Sequence, residues 1–178
     1  TNVSLLPGTA KNNKSYFDDE MNKVLLKLLA QIDSLYDFIF LDVNSGANEL
    51  SKDIMLSSDL VVVNLPQNIH VIEEYMSCQD SLMKGLKGDI FYLIGNYDNS
   101  SRYNISNLRR RYHKYMNKNN SGVIPHNTLY LDSQNDSRVV EFIKDNVNCR
   151  EPDCNYYFMK KAKSATRKII NNAMKANK

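Results

Sequence analysis

Runs of consecutive apolar residues alternate along this chain with stretches in which apolar residues recur every third or fourth position. The runs are Val3-Ser4-Leu5-Leu6, stopped by Pro7-Gly8; Tyr36 to Leu41, ending on Asp42; Leu60 to Leu65, ending on Pro66-Gln67; and Ile90 to Ile94, ending on Gly95-Asn96. Short apolar runs bounded by turn residues predict buried strands. Met21, Val24, Leu25, Leu28, Leu29 and Ile32 mark an amphipathic helix over 15–34, which Ser15 could cap with Asp18 three residues on. Further helices are predicted over 48–57, over 67–83 with Ile69, Ile72, Tyr75, Met76 and Leu82 inward, and over 105–116. Val123-Ile124-Pro125 and Thr128-Leu129-Tyr130-Leu131 read as one interrupted last strand, 134–145 as a helix, and Tyr156 onward as a long terminal helix. Strands and helices in this alternation predict an α/β fold, a mostly parallel β-sheet with helices on both faces. It would fill residues 1–155, with the basic amphipathic helix 156–178 packed on the same domain.

Charge sharpens this picture. Residues 1–100 hold 7 Lys+Arg against 14 Asp+Glu, and residues 101–178 hold 16 against 6, so the net +3 conceals an acidic half and a basic half. A basic half implies either an anionic partner, nucleic acid or a lipid surface, or lysine-rich helix faces that are merely solvated. The chain of 178 residues is long enough for one domain with its own core. No apolar run approaches the roughly 20 residues that cross a bilayer. Three cysteines, Cys78, Cys149 and Cys154, make an odd count that points to free thiols in a reducing cytoplasm.

Candidate chemistry gathers at the strand ends. A strand that stops on Asp42 and turns at Gly46 places a carboxylate at a sheet edge, where α/β proteins hold a metal ion and a phosphate. The plainer reading is a carboxylate capping a turn and a turn glycine. Asn96 has an amide with both donor and acceptor, suited to a purine edge, and asparagine is equally a turn residue. Arg109, Arg110, Arg111 and Lys114, interleaved with Tyr103, Tyr112 and Tyr115, form one basic patch by composition. Three consecutive arginines on a helix point different ways, so at least one is expected to pair with the acidic half. Lys160, Lys161, Arg167 and Lys168 on the terminal helix form a second patch for DNA or anionic lipid. A phosphorelay receiver is excluded, because Leu5-Leu6-Pro7-Gly8 supplies no acidic pair, Asn64-Leu65-Pro66 no hydroxyl and Gly95-Asn96 no lysine. Neither a glycine elbow around a serine nor a Cys/His pair supports a nucleophilic hydrolase.

Over nearly its whole length the chain resembles the ParA/MinD family of deviant-Walker P-loop ATPases. Tyr36-Asp37-Phe38-Ile39-Phe40-Leu41-Asp42 looks like the family's Walker B strand, and Val43-Asn44-Ser45-Gly46 stands at its switch II, with Val43 in place of the usual threonine. Ser57 to Gln67 is similar to its aspartate–strand–proline–glutamine segment, and Val123-Ile124-Pro125-His126 to the strand–proline step beside the base. The resemblance implies ATP and Mg²⁺ as cofactors, Asp42 holding Mg²⁺ through water, Gly46 near the γ-phosphate, Asn96 reading adenine and Pro125 walling the base. It also implies a homodimer, an activating protein, DNA or an anionic membrane as partner, and a cytoplasmic protein associated with nucleoid or membrane. No segment fits the Gly-x-x-x-x-Gly-Lys-Ser/Thr phosphate loop, since Gly8, Gly46, Gly85, Gly88, Gly95 and Gly122 open none. The chain, which opens on Thr1, therefore reads as the later portion of a P-loop NTPase-like partitioning or positioning ATPase, its first strand and phosphate loop lying upstream, inactive alone. The alternative is a non-catalytic pseudo-ATPase scaffold or partner-binding domain.

Overall fold

Two of the apolar runs pair with each other. Leu60–Pro66 (β1) lies parallel to Asp89–Tyr97 (β2), with Val62 opposite Phe91 and Leu65 opposite Ile94. Ser121–Pro125 (β3) lies parallel on the other side of β2, giving a sheet in the order β1-β2-β3. The protein is described by a computed structural model over residues 3–6, 19–43, 49–82, 84–86 and 88–176. It forms two compact units, 1–54 and 55–178, and the sheet lies wholly in the second.

Alternation along β2 distributes the core between two layers. Ile90, Tyr92 and Ile94 meet Ile72 and Met76 of the helix Ile69–Leu82 (α3) and Leu108 of the helix Ile105–Arg111 (α4). On the opposite face Phe91 and Gly122 meet Ala165 of the long helix Tyr156–Ala176 (α7), which packs across all three strands. Ile124 joins this second layer, packing against Phe142 of the helix Val139–Asn146 (α6) and Phe158 and Met159 of α7. Parallel strands with helices on both faces are therefore present, as the sequence pattern predicts. Gly122 allows a close approach there: a Cβ would lie 3.0 Å from the Ala165 Cβ and 3.2 Å from the Phe91 ring.

The differences from the sequence reading have physical causes. Thr128–Asn135 is a helix (α5), not the continuation of a strand: Asn127 accepts a hydrogen bond from the Tyr130 N–H at 2.7 Å and starts a helical turn straight after β3. The helix expected over 134–145 is divided between α5 and α6, with Ser137 at φ 56° between them. In unit 1–54 the helix Asp19–Ile32 (α1) runs into a 3₁₀ turn, Asp33–Leu35, and Glu49–Ser57 (α2) spans the boundary between units. Val3 to Leu6 and Tyr36 to Val43 are not strands; neither stretch has regular secondary structure. An apolar run becomes a strand only beside a partner ladder, and the described residues of this unit contain no other strand. The proposed Ser15 cap lies outside the described residues.

Candidate functional site

All three strands point the same way, so Pro66, Tyr97 and Pro125 end at one edge of the sheet. Helices begin there, each on an asparagine. Asn68 accepts from the His70 N–H at 3.0 Å before α3; Asn104 accepts from Ser106 and Asn107 N–H, both at 3.1 Å, before α4; Asn127 caps α5. Asn155, buried ahead of α7, accepts from Asn127 Nδ2 at 2.9 Å and donates to Asn146 Oδ1 at 2.8 Å, tying the starts of α5 and α7 to the end of α6. Helix N-termini carry partial positive charge, so this edge is electrostatically suited to an anion. The asparagine-rich composition, which has no function legible in the sequence, here has a capping role.

Asn96 and Pro125, both singled out from the sequence, come together at this edge with His126. Between Ile94 and Tyr97 the β2–β3 register shifts, and Asn96 sits at φ 49°, in the left-handed region that asparagine tolerates. The exposed Asn96 Oδ1 lies 2.8 Å from His126 Nδ1, while the His126 N–H donates to the Tyr97 carbonyl at 3.1 Å. A proton on Nδ1 makes the histidine the donor, leaving both Nδ2 hydrogens of Asn96 and a second lone pair on Oδ1 for a ligand. Two further residues build the edge and were not read as functional in the sequence. Gln67 bonds the Asp98 carbonyl at 3.0 Å, the Asp98 N–H at 2.7 Å and the Tyr103 carbonyl at 3.1 Å, clamping the 98–103 loop. The Ser100 hydroxyl and N–H, at 2.6 and 2.8 Å, hold the Asp98 carboxyl below the usual carboxylate range. Their signals were a glutamine directly after a strand and an Asp-x-Ser turn.

Asp42 lies in the other unit, exposed, in a segment without regular structure, and Gly46 lies outside the described residues. Among the described residues no group of three or more His, Cys, Asp or Glu is assembled around a metal position. Mg²⁺ demands six oxygens, completed in nucleotide sites by substrate phosphates.

The basic residues separate into different roles. Arg109 turns inward: its Nε donates to Ser121 Oγ at 2.8 Å and its Nη2 to the Ser121 carbonyl at 3.0 Å, and burial lowers its pKa. Arg111 pairs with Glu73, and Lys114 pairs with Asp80 at 2.7 Å, which raises the lysine's pKa and lowers the aspartate's. Arg110 remains exposed, bonded to Asn107 at 3.2 Å. The expected pairing between the basic patch and the acidic half is thus formed, and the patch is not one free face. On α7, Lys160 and Lys161 lie over the Tyr156 and Tyr157 rings, 5.2 and 5.4 Å from their centroids, and Arg167 is exposed. Lys168 is half-buried and donates to the carbonyls of Lys118 at 2.7 Å and Ser121 at 3.1 Å. Among the described residues no helix is long and apolar enough to cross a membrane.

Compared with protein-family models, curated proteins and solved structures, the chain matches none.

Proposed function

We propose that unit 55–178 carries the base-reading part of a ParA/MinD-like nucleotide switch, and that this chain alone neither binds ATP tightly nor hydrolyses it. The observation that carries the reading is the meeting of Asn96, Pro125 and His126 at the carboxyl edge of a parallel sheet. An amide fixed by a neighbouring ring can accept from the adenine N6 amine and donate to N7, and it needs no reorganisation to do so. The helix starts around it favour a ligand bearing negative charge. No glycine-lysine phosphate loop is present in the sequence, and no metal cluster is assembled among the described residues, so affinity at this edge comes from the base alone and stays weak.

A second reading, a non-catalytic scaffold for a protein partner, is favoured by that same lack of a phosphate cradle. The two separate on one experiment, a calorimetric titration of the chain and of Asn96→Ala with ATP and Mg²⁺, and with adenosine. The switch reading expects weak adenosine binding lost in Asn96→Ala and no turnover. The scaffold reading expects neither protein to respond. Micromolar ATP affinity would defeat both. As for a bilayer partner, Phe158, Met159 and Ala165 of α7 are buried against the rest of unit 55–178. The cations of α7 are therefore what it chiefly offers an anionic partner.

A further inference from the structure

On the face of the sheet covered by α7, a groove of about 410 Å³ runs along α7 beside Cys149. Its walls carry four cations, Lys160, Lys163, Arg167 and Lys168, and no carboxylate. Charged walls in a folded protein are usually balanced by opposite charge. Here they are not: α7 contains six Lys+Arg and no Asp or Glu over 156–176. What the lysines have found instead are neutral main-chain oxygens. Lys163 donates to the Val147 carbonyl, and Lys168 donates to those of Lys118 and Ser121. The Ser121 carbonyl also receives Arg109, so two cations converge on one neutral oxygen. Lys168 has its pKa lowered by burial first and then by the nearby charges of Arg109 and Lys161. Arg167 has no hydrogen-bond or ion-pair partner among the described residues. Two hydroxyls, of Tyr156 and Ser164, complete a lining rich in donors.

We infer that this groove binds a compact, multiply charged inorganic phosphate ligand such as pyrophosphate, with Lys160 and Arg167 as its free charged donors and Lys163 and Lys168 as its fixed ones. Arg167 supplies the fork that matches two phosphate oxygens, and the lysines supply point charges around it. The volume falls within the range of small-ligand sites. A recess along one helix holds a compact anion, whereas an extended polyanion would need the charges on a ridge. The groove shares no lining residue with the Asn96–His126 pair, so the inference does not rest on the strand-end reading.

The test uses the whole chain and inorganic pyrophosphate without divalent metal at low salt. Calorimetry should give saturable binding that weakens about tenfold in Arg167→Gln and again in Lys160→Gln, each removing one charge-assisted contact. Arg110→Gln changes the net charge equally and lies on α4, and it should leave affinity unchanged. Cys149 gives a local reading: it lines the groove, so saturating pyrophosphate should slow its reaction with a maleimide, while exposed Cys78 reacts as before. Absence of saturable binding, equal weakening by all three substitutions, or unchanged Cys149 reactivity would each overturn the inference. So would a short DNA oligonucleotide that protects Cys149 and that excess pyrophosphate cannot displace, since the groove would then serve a nucleic-acid backbone.

Discussion

Substituting Gly122 by alanine tests whether α7 is seated on the sheet as described. The added methyl would sit 3.0 Å from the Ala165 Cβ, 3.2 Å from the Phe91 Cζ and 3.4 Å from the Ala165 Cα. Carbon atoms rest about 3.5–4.0 Å apart, so the neighbours must give by a few tenths of an ångström. Neither neighbour is the loose end of a long side chain: the Ala165 Cβ is fixed directly to the backbone of α7, and Phe91 is fully buried. The helix itself must therefore lift from β3, at the overpacking cost of about 1–3 kcal/mol. Removing a glycine from a strand returns about 0.5–1 kcal/mol through the unfolded chain. The net loss is about 1–2 kcal/mol, a fall in Tm of roughly 4–8 °C for a unit of this size. Ala165→Gly alone should also destabilise, by about 1–2 kcal/mol, through helix propensity and the lost methyl. In the double variant the new methyl occupies the vacated space, so the two costs should fall short of additivity by about 1–2 kcal/mol. Urea denaturation of the four proteins measures the cycle. Strict additivity, or a Gly122→Ala protein as stable as the parent, would show that α7 does not lie against β3 at this point.

Other consequences are open to direct measurement. A Cβ at Gly88 would lie 2.3 Å from the Ser58 carbonyl oxygen and 2.5 Å from that of Asp59, both main chain, so Gly88→Ala should cost more than Gly122→Ala, on the order of 3 kcal/mol or more; a smaller loss in denaturant midpoint counts against the β1–β2 connection. Ser137 holds a left-handed φ of 56° at the end of α5, and Ser137→Gly should raise stability by about 0.5–1 kcal/mol, with an unchanged midpoint contradicting that geometry. Burial raises the pKa of Tyr75 above its ordinary value of 10.0, and Tyr92 is raised too. A phenol whose folded pKa exceeds its unfolded one contributes stability that is intact below the unfolded value and is lost as pH climbs towards the folded value, so stability should fall above pH 10.0. The buried Tyr75 hydroxyl has no hydrogen-bond partner among the described residues, so Tyr75→Phe should be neutral or stabilising near pH 7 and flatten that alkaline fall; a loss above about 1 kcal/mol would argue against it.

How much of this was legible in the sequence differs from element to element. Leu60 to Leu65 and Ile90 to Ile94 carry apolar runs that form strands because each pairs with the other; Pro66 ends β1, whereas β2 runs on past Gly95 to Tyr97. Tyr36 to Leu41 has the same composition and forms no strand, since a ladder depends on a neighbour that composition does not reveal. Thr128 to Leu131 has strand-like residues, yet the asparagine before it supplies a cap that outweighs their propensity. Asparagine before each of α3, α4 and α5 was a start signal, hidden by the abundance of asparagine elsewhere. For the strand-end site, Asn96 and Pro125 were visible as residues near strand ends, although Asn96 lies within β2, one residue before its last. The Asn96–His126 contact was not, because it arises from the register shift between Ile94 and Tyr97. The inward turn of Arg109 was equally hidden: only the packing of α4 over Ser121 separates it from its neighbour Arg110.

The most direct test of the strand-end reading is a nuclear magnetic resonance titration of the chain with adenosine and, in parallel, with guanosine. The account predicts shifts in the Asn96 side-chain amide and the His126 ring with adenosine, at a millimolar Kd worth about −4 kcal/mol, and none there with guanosine. Shifts confined to other parts of the chain, or equal responses to both nucleosides, would contradict it.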